Sequence, residues 1–194
     1  MKERIMRTAK ELFIKNGYNS TTTGDIVKQS GSSKGNLYHH FGTKENLFIE
    51  IIKNEEEKWM EVWLEKEKKC NTNKEKFMCI NELSVNSDYY YPLQFAIFEF
   101  YASDSQSQST VEKINEMNQR SLELFIQIFK AGNEANEWQI KDLKLASQTV
   151  ISSLTGIVML SINKNVEQRK RLINHFSMVF LKGIDGLNNS LLDV

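Results

Sequence analysis

Ser32 to Leu47 reads SSKGNLYHHFGTKENL, and this stretch decides the fold. It packs a small-residue turn, a very short helix and the start of a second helix into sixteen residues. Ser32 and Ser33 place hydroxyls at the first helix start, as caps or as donors to phosphate. Lys34 supplies charge, and Gly35 lets a backbone N–H come close to a partner. Leu37 and Phe41, four apart, form the apolar stripe that anchors the short helix, and Tyr38, His39 and His40 crowd the rest of it with planar donors. Gly42 ends the helix, Thr43 caps the next, and Lys44 stands in its first turn. Upstream, Thr22, Thr23 and Gly24 precede DIVKQS, where threonine caps a helix and Asp25 suits its dipole. Gly31 supplies the left-handed residue that turns the chain toward Ser32. This is the pattern of a DNA-reading helix-turn-helix. An ordinary α-hairpin using serine and threonine only as caps satisfies the same spacing, so spacing alone leaves both readings open.

The rest of the chain reads as helix. With 194 residues it can bury a substantial core, and one proline with few alternating β-branched runs argues against sheets. The first helix is expected from Lys2 to Asn16, with Ile5, Ala9, Leu12 and Phe13 inward and Gly17 as the stop. A long fourth helix should run from Lys44 past Trp63, carrying Leu47, Phe48, Ile51, Ile52, Trp59 and Val62 at helical spacing. The lysine-rich stretch from Lys66 to Lys74 reads as a connection. A further helix carries FMCINELSV, and Pro92 predicts a break at Tyr91. Helices are then expected through Leu93 to Tyr101, Thr110 to Lys130, Ile140 to Asn163 and Val166 to Ile184, with a frayed GLNNSLLDV tail. The last two long helices hold Ile151, Leu154, Ile157 and Leu160, then Ile173, Phe176, Val179 and Phe180. That is more apolar surface than a small domain needs for itself.

Net charge is zero, but it is unevenly spread: Met1 to Asn46 carries eight Lys or Arg against four acids, leaving 17 against 21 for the remainder. The basic part is the part with the helix-turn-helix pattern, as a nucleic-acid reader requires. No leader pattern opens the chain, and no uninterrupted apolar run reaches the roughly 18 to 20 residues that span a bilayer. A soluble, cytoplasmic protein with no membrane partner is the expectation. Cys70 and Cys79 show neither a CxxC nor a nearby histidine, so reduced thiols are expected rather than a disulfide or zinc site. No metal or cofactor is implied.

At AKELFIKNGY (Ala9 to Tyr18), TTTGDIVKQSG and SKGNLYHHFGTKENL the sequence resembles the DNA-binding domain of the TetR family of transcriptional repressors. Gly35, Leu37, Tyr38, Phe41, Lys44, Glu45 and Leu47 carry the likeness. It implies an all-α protein in which residues 1–46 form a three-helix helix-turn-helix DNA-binding domain and residues 47–194 form a helical ligand-binding and dimerisation domain. Double-stranded operator DNA, a small-molecule inducer and a second copy of the chain are the implied partners. Thr23, Ser32, Ser33, Lys34, Tyr38, His40 and Lys44 are the implied phosphate contacts, with Gly35 and His39 near base edges. The last two long helices are the implied homodimer interface, which suits a reader of two half-sites.

Similarity to a multidrug-binding member of the family persists into YYYPLQ (Tyr89 to Gln94), EFY (Glu99 to Tyr101) and GIV (Gly156 to Val158). Its ligand pocket maps onto Glu55, Glu56, Trp59, Asp88, Tyr91, Gln94 and Tyr101, with Asn118, Ser121, Ser152 and Thr155 completing the set. Acids beside aromatic faces suit a lipophilic cation, and control of a multidrug efflux gene is the implied role. A solvated glutamate run and a packed tyrosine boundary explain the same residues without a ligand. Asn118 stands where that relative has an acid and Ser121 where it has an aromatic, which supports an alternative, a neutral or anionic metabolite. No nucleophile elbow, HExxH or phosphate loop points to an enzyme.

Overall fold

The computed structural model describes residues 1–86, 91–103 and 107–186, with the backbone alone at 86, 91, 185 and 186. Among the described residues all regular structure is helical: α1 (Lys2–Ser20), α2 (Thr23–Ser30), α3 (Lys34–Phe41), α4 (Lys44–Glu67), α5 (Asn73–Asn86), a 3-10 turn (Tyr91–Leu93), α6 (Gln94–Tyr101), α7 (Gln108–Glu134), α8 (Leu143–Leu160) and α9 (Val166–Gly186). The all-α expectation holds. The expected tail GLNNSLLDV lies outside the described residues beyond Gly186. Two compact units form, Met1–Met60 with Asp88–Asn115, and Glu61–Ser87 with Glu116–Val194.

In the first unit, Ile5, Ala9, Leu12 and Phe13 are all buried, as their spacing predicts. Gly17 breaks the helical geometry at φ 81 and ψ 173, and one more turn follows to Ser20. The buried Thr21 hydroxyl then donates to the Gly17 carbonyl at 2.7 Å. Each later boundary has its own cap. Thr22 and Asp25 form a reciprocal capping box on α2, and Gly31 ends that helix at φ 59. The two hydrogen bonds from Thr22 pull the Asp25 carboxyl below its usual range. Ser33 accepts from the Asn36 N–H at the start of α3, and Thr43 accepts from the Asn46 N–H at 2.9 Å at the start of α4. Helices this short are marginal alone; buried Leu37 and Phe41 supply the packing that keeps α3 formed.

An aromatic cluster closes this unit. Phe13 meets Phe48 edge-on at 4.7 Å, and Phe100 of α6 meets both Tyr18 at 4.8 Å and Phe48 at 5.0 Å. Such pairs add about 0.5–1.5 kcal/mol each beyond the area they bury. Helix α6 is therefore fastened to the residues at the end of α1 and the start of α4.

The second unit is built on Phe77 of α5, Phe129 of α7 and Phe180 of α9, with ring centroids 5.2 to 5.8 Å apart. Trp138 adds an edge contact, and its Nε1–H donates to the Phe129 carbonyl at 2.8 Å. A Cβ at Gly132 would run into that indole, so the helix-interior glycine is explained by close approach. Glu137 accepts the Asn73 and Lys74 N–H groups at 2.8 Å and so caps α5 from a distant loop. Burial opposes its charge, but these bonds prevail and hold the carboxyl below its usual range.

Leu143–Leu160 is long and apolar enough, by length and composition, to cross a membrane, with a mean hydropathy of 1.4. Hydroxyls intersperse the helix, so it contains no uninterrupted apolar run of that length. Those hydroxyls are spent internally: Ser147, Thr149, Ser153 and Thr155 each donate to the carbonyl four residues back. Within the single chain only Ser147, Val150, Leu154 and Val158 of this helix are buried.

Candidate functional site

The outer face of α3 is polar and open. With Leu37 and Phe41 inward, Lys34, Gly35, Asn36, Tyr38, His39 and His40 are all exposed, and at 100° per residue Gly35 and His39 sit nearest the centre of the outer face. The His39 and His40 rings meet edge-on at 5.2 Å. A Cβ at Gly35 would meet nothing closer than Ser33 Oγ at 3.7 Å. The fold itself therefore does not require glycine there, and the absent side chain leaves room outward, for a partner's approach. Ser32 Oγ is buried without a hydrogen-bond partner at the turn between α2 and α3. Thr23 is half-buried in the first turn of α2, and Ser33 is occupied as a cap but keeps its own O–H to give.

Lys44 is placed differently from the other phosphate candidates. Its Nζ donates to the Tyr18 carbonyl at 2.9 Å and the Thr21 carbonyl at 3.0 Å, and it stands 4.1 Å over the Tyr18 ring. Burial lowers its pKa, with the Glu99 carboxylate pulling the other way. In this position it ties the end of α1 to the start of α4.

Glu99 itself was not singled out from sequence. Its Oε2 accepts the Asn19 N–H at 3.2 Å, and its carboxylate lies where a Cβ on Gly17 would project. The positive φ of Gly17 and the absence of a side chain there are one device: α6 comes close enough to hold the backbone at the end of α1. Two further contacts tie the start of α7 to the start of α4, the Ser107 N–H with Glu45 at 3.1 Å and Lys113 Nζ with Asn46 Oδ1 at 3.0 Å.

The ligand candidates fall on both units. In the first, Glu55 is 2 % exposed and holds Lys10 at 2.7 Å through one oxygen and Lys58 at 2.9 Å through the other. The sequence reading missed both lysines, one 45 residues away and one on the neighbouring turn. Glu56, Trp59 and Gln94 are half-buried. Tyr101 keeps 39 % of its surface accessible, yet burial first and Glu56 second push its phenol up to about 12. Asp88 lies outside the described residues, as does the Tyr91 side chain. In the second unit Asn118, Ser121, Ser152 and Thr155 are exposed, and the Thr155 hydroxyl donates to the Ile151 carbonyl at 2.9 Å. Among the described residues no three His, Cys, Asp or Glu side chains gather as a metal site needs.

The apolar stripes of α8 and α9 divide between inside and outside. Leu154 and Ile173 are core, and Phe176 and Phe180 are half-buried, Phe180 against Phe77 and Phe129. The open apolar surface of α8 and α9 is Leu145, Leu160, Val166, Leu172, Met178 and Val179, with Leu160 86 % exposed.

Comparison with known proteins adds two family matches. Residues 5–51 match the bacterial regulatory proteins of the tetR family, and residues 55–186 match the QacR-like protein C-terminal region. The HTH-type transcriptional regulator QacR of Staphylococcus aureus is 50 % identical over 184 residues, 95 % of this chain and 98 % of that protein. An HTH-type transcriptional regulator of Bacillus subtilis, YxaF, is 48 % identical over 52 residues, 26 % of this chain and 27 % of that one. Two solved structures share the fold. The regulator FadR from Bacillus subtilis, in complex with stearoyl-CoA, has a TM-score of 0.82 at 23 % identity, over 95 % of this chain and all of that one. A regulator from Saccharomonospora viridis, in complex with choline, has 0.78 at 14 %, over 90 % and 94 %.

Proposed function

The chain belongs to the TetR family of bacterial regulatory proteins, with a QacR-like C-terminal region, and from that premise we propose that it binds operator DNA as a homodimer and releases it when a small molecule binds. Residues 1–46 are the DNA-reading part and residues 47–194 the ligand-binding and dimerisation part. Lys34, Tyr38, His40, Ser32, Ser33 and Thr23 engage phosphates and His39, beside Gly35, faces base edges. Lys44 contributes to phosphate binding chiefly by holding the end of α1 against the start of α4. The exposed apolar residues of α8 and α9 pair with those of a second copy, so that two α3 helices meet two half-sites. The protein acts in the cytoplasm, on double-stranded DNA.

One observation carries the ligand response. Helix α6 bears the ligand candidates Gln94 and Tyr101, and through Phe100 and Glu99 it also grips Tyr18, Phe48 and Asn19 beside the helix-turn-helix. A ligand that binds better to one placement of α6 shifts the helix-turn-helix with it, which is all that allosteric release requires.

The inducer is a lipophilic cation, held by Glu56 and Asp88 with the faces of Trp59, Tyr91 and Tyr101, and the controlled gene encodes a multidrug efflux pump. A second reading, a neutral or anionic metabolite, is favoured by Glu55, whose charge Lys10 and Lys58 already answer, and by Asn118 and Ser121. Ser152 and Thr155 suit either. Titration of the intact protein with a lipophilic dye cation separates the two readings. Glu56→Gln should weaken binding about tenfold, the loss of roughly 1.4 kcal/mol; unchanged affinity would remove the cation reading. Binding to DNA flanking the protein's own gene, followed across salt concentrations, tests the repressor reading. A specific complex with a steep salt slope is expected, and equal affinity for all sequences would refute it.

A further inference from the structure

Cys70 follows the end of α4, and Cys79 lies in the second turn of α5; both thiols are free and partly exposed. They line the same surface groove, with Met78 and Lys69 beside them. The Cys70 thiol reaches the Lys66 carbonyl at 3.5 Å and also interacts directly with Cys79. Two thiols on one groove, on segments joined by one short turn, are placed so that rotation of their side chains brings the sulfurs toward each other. No third His, Cys, Asp or Glu joins them among the described residues, so the pair lacks the donor set of a metal site.

We propose that Cys70 and Cys79 form an oxidation site, at which a peroxide closes an intramolecular disulfide across the corner between α4 and α5. Burial and then Cys79 raise the Cys70 thiol. Either thiol can react first, and both orders give the same product. When Cys79 is first, its thiolate attacks the peroxide, the O–O bond breaks, and the sulfur becomes a sulfenic acid as one oxygen leaves as water. The Cys70 sulfur then attacks that sulfenic sulfur; the S–O bond breaks, and the departing hydroxide takes the Cys70 proton to leave as a second water. Two thiols lose two electrons and one peroxide gains them. In a reducing compartment such a bond is transient, which suits a reversible signal more than a structural staple. This inference does not depend on the DNA-binding or ligand reading.

The test is to treat the reduced full-length protein with hydrogen peroxide, count thiols after denaturation, and map peptides without reductant. Titratable thiols should fall from two per chain to none, with the Cys70 peptide joined to the Cys79 peptide of the same chain. Either single Cys→Ser variant should leave the remaining thiol as a sulfenic acid that dimedone labels, with no disulfide formed. Persistence of both thiols, or a covalent dimer on a non-reducing gel, would overturn the proposal. The wild-type peptide map decides the matter even if a variant fails to fold.

Discussion

Replacing Gly17 by alanine probes the grip of α6 on α1 most directly. At φ 81 and ψ 173 the backbone occupies ground that is essentially glycine's alone, and holding alanine there costs about 1–3 kcal/mol. Alanine also narrows the unfolded ensemble, which offsets about 0.4–1 kcal/mol. The new Cβ must displace the Glu99 carboxylate, and the bond from the Asn19 N–H, at a surface position, is worth about 1 kcal/mol. The net loss is about 2 kcal/mol, a sizeable share of a domain's total stability. Urea unfolding followed by far-UV circular dichroism, at one fixed protein concentration, should show a midpoint lowered by about 1 M. The same substitution made in a Glu99→Ala background has no carboxylate to displace, so it should cost about 1 kcal/mol less. Operator affinity should fall in the single variant, because α6 no longer holds the end of α1. A Gly17→Ala protein within about 0.5 kcal/mol of the parent, or one equally destabilised in both backgrounds, would refute the reasoning.

Lys34→Ala should weaken operator binding and flatten its salt slope by roughly one unit per subunit, with stability unchanged. Lys44→Ala should instead lower the unfolding midpoint, by about 1–2 kcal/mol, because two carbonyls lose their donor; a normal midpoint would return Lys44 to the DNA face. Burial and the nearby Glu45 push the Tyr18 phenol up to about 12, as burial and Glu56 do for Tyr101. Both stay protonated where the unfolded chain ionises near about pH 10, so the stability they contribute is whole below that pH and is lost as pH rises toward 12. Both rings are partly open, so the loss is on the order of 1 kcal/mol each. Ultraviolet titration of the native protein should show two late phenols, and Tyr18→Phe should remove one; uniform titration near 10 would contradict this. Leu160→Glu combined with Val179→Glu should convert the proposed dimer to monomer in sedimentation, since both side chains are exposed in the single chain; an unaltered dimer would place the interface elsewhere.

Local signals were the most legible part of the sequence. Thr22, Gly31, Ser33, Gly42 and Thr43 act within four residues of themselves, so the boundaries of α2, α3 and the start of α4 follow from chemistry that the sequence displays directly. The inward stripe of α1 was readable for the same reason. Partners far away in sequence were not: nothing near Glu55 announces Lys10, and nothing near Gly17 announces Glu99. In the case of Gly17 a signal was present but read only as a stop, although glycine also marks close approach. Helical spacing found the apolar faces of α8 and α9 but could not divide them between core and surface, because a 3.6-residue period does not say which side meets the rest of the chain. Thus Ile173, a stripe residue, is wholly buried within the single chain, whereas Leu172 and Met178, outside the stripe, are exposed.

The aromatic cluster of Phe13, Tyr18, Phe48 and Phe100 limits how this protein can be cut and recombined. A chimera that grafts residues 1–46 onto another regulator's body would leave Phe48 and Phe100 behind, so Phe13 and Tyr18 would face whatever the new host supplied. Altered operator preference is therefore better engineered by exchanging the exposed side chains of α3 alone. A larger transplant should carry α6 with it.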